Sequence, residues 1–133
     1  MTETDGVGKV FDFIFSKHCV ITPEGEPLLL NAFTDPFKKW PHGGWAEWNT
    51  MIGWCSGSMT ALPMLKYGGK YRDFAVKYLD FLSTHGNSPS GVKYSIYDGK
   101  MWMNKDHAEY NEEYDHCRFY CDYIYYLGKA ICF

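Results

Sequence analysis

Between residues 6 and 19 the apolar positions fall at Val7, Val10, Phe11, Ile14 and Phe15, with His18 next in line. That spacing is near 3.6 residues and predicts a short amphipathic helix. Residues 20–43 break the rhythm with Pro23, Pro27, Pro36, Pro41 and several glycines, and predict a long irregular connection holding a short extended piece at 28–30. A second helix is predicted from about Gly44 to Tyr67. Pro63 should kink it or end its regular part, because proline lacks the amide donor and clashes with the preceding turn, and Gly68–Gly69 break it. The third helix, about 70–84, has the cleanest pattern. Tyr71, Phe74, Ala75, Tyr78, Leu79 and Leu82 form one stripe, with Arg72, Asp73, Lys77 and Asp80 mostly off it. Residues 85–106 predict a second long connection. Within it "VKYSIYDGKMWM" alternates around Asp98–Gly99, which predicts a β-hairpin near 92–103. A fourth helix is predicted over about 107–133. Asp115, Arg118, Asp122 and Lys129 form its single polar line, and nearly everything else from Tyr114 onward is aromatic or apolar. That pattern predicts burial on most of its circumference.

The connections alternate: long, two residues, long. In antiparallel helices both long connections then meet at one end, and function in helical folds collects where long loops meet a rigid scaffold. The second helix is unusual. Between Trp45 and Pro63 its only charge is Glu47, and Gly53, Ser56, Gly57, Ser58 and Ala61 are small. A helix apolar all round is buried all round, so it belongs to an inner layer and the third helix to an outer one. Four helices do not easily bury the second and fourth on every side. The expectation is one incomplete helical-hairpin domain over 1–133, which self-associates or forms a piece of something larger.

Composition narrows this picture. Aromatic residues make up 19 % of the chain, which suits either a bulky core or a surface for flat amphipathic ligands. The net charge of −3, with no cluster of Lys or Arg, excludes the basic stripe that nucleic-acid binding needs. No apolar run approaches the ~18 residues of a membrane span, and "MTETDGVGKV" lacks the basic and apolar regions of a signal peptide. Cys19, Cys55, Cys117, Cys121 and Cys132 are odd in number and contain no CxxC. They read as free thiols in a cytoplasmic protein. No phosphate-binding loop or dinucleotide fingerprint occurs, so no cofactor is expected.

The stretch "ALPMLKYGGKYRDFAVKYLDFL", residues 61–82, resembles the recurrent hairpin of the six-hairpin glycosidase superfamily: an inner helix ending in small and apolar residues, a glycine turn, then an aromatic-rich outer helix. "YSIYDGKMW" resembles that family's connector into the next inner helix, and "DYIYYLGKAI" resembles an inner helix leading toward its outer partner. The resemblance spans most of residues 40–133. It implies an all-α fold of antiparallel helical hairpins, a partial (α/α)6 toroid. The superfamily contains hydrolases, lyases and epimerases acting on sugars, so the fold alone leaves the reaction open.

Under that resemblance the loop end is the sugar-binding end. Trp40, Trp45 and Trp48 surround the start of the second helix, and Trp102 ends the hairpin. Indoles make good platforms for the C–H faces of sugars, and they also plug bundle ends. Glu47, buried near apolar rings, would have the raised pKa of a general acid; it also suits the positive end of a helix. Asn49 can hold a hydroxyl or cap the helix. Glycosidases use two carboxylates about 5–9.5 Å apart, and Asp98 is the candidate partner, although Asp-Gly is also ordinary turn chemistry. His107 is a candidate substrate contact. His107, His116 or a tyrosine would be the proton-transfer group in a sugar lyase or epimerase. Glu113-x-x-His116 matches one element of a di-iron carboxylate bundle, but no second copy occurs and no metal site is expected. "WCSGS", residues 54–58, lacks the spacing of a nucleophile elbow and reads as packing. The expected function is carbohydrate processing by a glycoside-hydrolase-like domain with a saccharide as partner. The alternative is a non-catalytic helical module for interaction or oligomerisation.

Overall fold

The computed structural model describes residues 6–30, 57–89, 91, 93–94, 96–97, 102–103 and 117–132. Among the described residues there are four helices and two two-stranded antiparallel sheets.

The first predicted helix is α1, Gly6–Lys17. The chain then turns extended. β1, Cys19–Ile21, pairs with β2, Pro27–Leu29, in the register Cys19↔Leu29, Val20↔Leu28, Ile21↔Pro27. This corrects the expectation that the connection is irregular from residue 20: its extended piece is the second arm of a hairpin. The turn closes through Thr22 N–H to the Glu26 carbonyl (2.8 Å) and Gly25 N–H to the Thr22 carbonyl (2.9 Å), while Thr22 Oγ1 accepts from Glu26 N–H (3.1 Å). Gly25, at φ 90°, takes a conformation that a side chain would resist. Pro27 fits because it opens its strand, where a missing donor is tolerated. Beyond the strands, Leu30 N–H donates to the His18 carbonyl (2.9 Å) and His18 Nδ1–H donates to the Leu30 carbonyl (2.7 Å). Leu28, Leu29 and Leu30 are all buried, with β2 against the third helix.

α2, Ser58–Tyr67, is the described part of the second predicted helix; residues 44–56 lie outside the described residues. Pro63 is accommodated on an exposed face, and the helix continues past it to Tyr67. Ala61, Leu62, Met64 and Leu65 are buried. Gly68 alone separates α2 from α3, Gly69–Thr84. Its φ of 98° reverses the chain, its N–H donates to the Met64 carbonyl (3.3 Å), and its carbonyl accepts from Arg72 N–H (3.3 Å). All six residues of the predicted α3 stripe are buried, and Phe81 joins them; Arg72, Asp73, Lys77 and Asp80 are exposed. Each large apolar side chain buried in this way contributes roughly 1.5–3 kcal/mol.

α1 rests on the glycine-turn end of this hairpin. The Phe11 ring lies 4.9 Å from Tyr67 and 5.6 Å from Tyr71, and Phe15 meets Phe74 edge-on at 5.9 Å. Asp12 Oδ1 accepts from Lys70 Nζ (2.8 Å) and from the Tyr71 hydroxyl (2.7 Å).

The predicted hairpin near 92–103 is present as β3, Ile96–Tyr97, paired with β4, Trp102–Met103. The fourth predicted helix is described as α4, Cys117–Ile131; residues 104–116 lie outside the described residues. α2 packs against both α3 and α4, but the expectation that it is buried all round is corrected: Met59, Pro63, Lys66 and Tyr67 are exposed, because no described element covers that side. The expected burial of α4 is corrected. Cys121, Ile124, Tyr125, Gly128, Lys129 and Ile131 are exposed, Ile131 at 77 %. Leu127 and Ala130 pack on the core because α2 covers their flank, whereas α3 only brushes the helix.

Candidate functional site at the loop end of α3

The last turn of α3 closes with His85 N–H donating to the Phe81 carbonyl (2.9 Å). A helix end leaves its final carbonyls without intrahelical donors. Lys93 supplies them: its Nζ donates to the carbonyls of Leu82 (2.8 Å), Ser83 (2.9 Å) and His85 (2.8 Å). A cation here also suits the negative end of the helix dipole. Burial pushes the Lys93 amine below the ordinary lysine range. Next to it, Tyr94 N–H donates to the Gly86 carbonyl (2.7 Å), and Asn87 bridges Lys93 in antiparallel fashion. The returning chain sets the β3–β4 hairpin beside Phe81.

There the rings converge. Trp102 is half-buried, stacked on Tyr97 at 4.6 Å with 27° between the planes, and 5.4 Å from Phe81. Gly86 lies against the six-membered ring of the indole: a Cβ on Gly86 would come within 2.6 Å of Cε3 and Cζ3. His85 stacks on Phe81 at 4.9 Å. Tyr97 is buried, and its hydroxyl donates to Glu26 Oε2. That bond ties the N-terminal hairpin to the second hairpin, 71 residues away in sequence. The end of α3 therefore gathers a carboxylate, a phenol, an indole and an exposed imidazole.

Of the residues singled out in the sequence, Trp102 is the one described here. Trp40, Trp45, Glu47, Trp48, Asn49, Asp98 and His107 lie outside the described residues. Trp102 stands beside the end of α3, with much of its ring against protein. Glu26 and Tyr97 were not among the sequence candidates. Glu26 sits in a Pro-Glu-Gly-Glu-Pro turn, which reads as solvent-facing, and no local pattern announces a contact across 71 residues.

The thiol of Cys19 is pushed up to about 12 by burial, which makes it a poor nucleophile. Cys121 and Cys132 are exposed cysteines. Among the described residues no group of three His, Cys, Asp or Glu side chains is arranged to hold a metal ion, and no helix is long and apolar enough to cross a membrane. No family model, curated protein or solved structure matches this chain.

Proposed function

We propose that this chain is a carbohydrate-processing, glycoside-hydrolase-like helical-hairpin domain that binds a saccharide at its loop end. The supporting observation is the cluster at the exit of α3. A partly exposed indole, Trp102, stands beside a phenol whose hydroxyl holds the Glu26 carboxylate. Sugars present apolar C–H faces and a rim of hydroxyls; an aromatic ring answers the first, and carboxylates and phenols answer the second. The finer architecture proposed with it is a partial (α/α)6 toroid, with α2 and α4 as inner helices and α1 and α3 as outer ones. In this reading Trp40, Trp45 and Trp48 line the same cleft with Asn49 and His107, and Glu47 and Asp98 are the catalytic pair.

Tryptophan fluorescence during titration with a panel of oligosaccharides tests the reading. A saturable change is expected with at least one sugar, weakened in Trp45→Ala and Trp48→Ala chains that keep the wild-type far-UV spectrum. No response to any sugar, with the same substitutions affecting stability alone, would reduce the tryptophans to packing residues.

A further inference from the structure

A second site lies at the buried head of α2. Gly57 and Ser58 are both buried, Ser58 to 1 % exposure. The first turn of a helix leaves its amides without intrahelical acceptors, and a capping side chain or water ordinarily supplies them. Here the N-cap is Gly57, which has no side chain to offer, and the first turn holds no acidic residue. The Gly57 carbonyl accepts from Thr60 N–H (3.1 Å) and Ala61 N–H (3.0 Å). The Ser58 and Met59 N–H groups have no acceptor among the described residues. The Ser58 hydroxyl has no partner either, although it is fully buried.

As a packing residue this serine makes little sense. A buried hydroxyl without a hydrogen bond costs stability, and alanine would sit there without that cost. Its place on the helix gives it a use. Cα–Cβ bonds in a helix lean toward the N-terminus, so the Ser58 hydroxyl stands at the head of α2 beside the two open amides. Three donors are thus gathered at the positive end of a ten-residue helix, the arrangement that holds an anionic oxygen. The turn is open on one flank, where Met59 is 41 % exposed and Thr60 half-buried. Residues 57–61 contain no Lys or Arg. The site therefore offers only about half a unit of positive charge, which suits a carboxylate, with one charge over two oxygens, better than a phosphate dianion.

We propose that the head of α2 binds a ligand carboxylate, its oxygens taken by the Ser58 hydroxyl and by the Ser58 and Met59 amides. The hydroxyl gains the partner that the chain does not give it, and the negative charge acts as the missing helix cap. Bonds to a charged acceptor are stronger than those to a neutral one. This goes beyond the saccharide reading and holds whether or not a sugar binds.

Titrating the full chain with sodium acetate, at an ionic strength held constant with sodium chloride, tests the site by amide ¹H–¹⁵N spectra. The Ser58 and Met59 resonances should move and saturate. In chloride alone, Ser58→Ala should be at least as stable to urea as wild type, because no bond is lost with the hydroxyl. In acetate its half-saturation should rise about tenfold or more, the loss of one hydrogen bond to a charged group. Amides at 58 and 59 that ignore acetate overturn the proposal, as does a response to inorganic phosphate with none to acetate. Loss of stability or of fold in Ser58→Ala in chloride overturns it as well, since the hydroxyl would then be bonded within the chain.

Discussion

Replacing Gly86 by alanine tests whether the ring cluster at the end of α3 is rigid. Two costs are separable. Gly86 has φ +72°, where an L side chain crowds its own backbone; that costs roughly 1–2 kcal/mol. The new methyl would also lie 2.6 Å from Trp102 Cε3 and Cζ3, where carbon atoms ordinarily keep about 3.5–4 Å. The indole must therefore retreat by about 1 Å. It has little room to do so, with Tyr97 stacked at 4.6 Å, Phe81 at 5.4 Å and the Tyr97 hydroxyl tied to Glu26. Overpacking of this kind costs about 1–3 kcal/mol, for a total of about 2–5 kcal/mol. Gly91 provides the control within the same loop: its φ is +83°, and nothing lies within 4 Å of its would-be Cβ. Urea unfolding followed by far-UV circular dichroism should show Gly86→Ala less stable than Gly91→Ala by about 1–3 kcal/mol at equal m-value. Equal losses in the two variants would mean that Trp102 yields freely, and the picture of a locked ring cluster would be wrong.

Two further outcomes follow from the chemistry of single groups. In the folded chain Cys19 should resist alkylation by iodoacetamide at pH 8, because burial holds its pKa near 12, while Cys121 and Cys132 react; mass mapping of labelled peptides reads this directly, and rapid labelling of Cys19 would contradict its burial. Asp12 is held below its ordinary value of 3.8 by hydrogen bonds from Lys70 and Tyr71, so its contribution is complete above pH 3.8 and fades as pH falls through the lowered folded value. Wild type should therefore lose stability more steeply than Asp12→Asn across that acid range in urea titrations, and parallel slopes would show that the contact of α1 with α3 is not ionic.

The parts of the fold legible in the sequence are those in which a helix has one partner face. α3 is the clearest case: its stripe from Tyr71 to Leu82 is the buried set, and its charges are outside. Gly68–Gly69 marked the reversal because a chain can turn back over one residue only at positive φ. The β1–β2 hairpin was hidden because Pro23 and Pro27 argue against strands unless one knows that they bracket a turn. α4 misled for a different reason. Its apolar residues circle the helix, and composition does not say which of them has a neighbour; α2 covers Leu127 and Ala130 and leaves Tyr125 and Ile131 in solvent. At the loop end, Trp102 and the hairpin were visible as a local pattern. The bond between Glu26 and Tyr97 was not, since it joins segments that only the packing of β2 on α3 brings together.

Lys93 makes one side chain the staple of two segments. Its amine closes the carbonyls of Leu82, Ser83 and His85, while the backbone beside it pairs back on Gly86 and Asn87. A fault at this single position therefore loosens the helix end and the returning strand together.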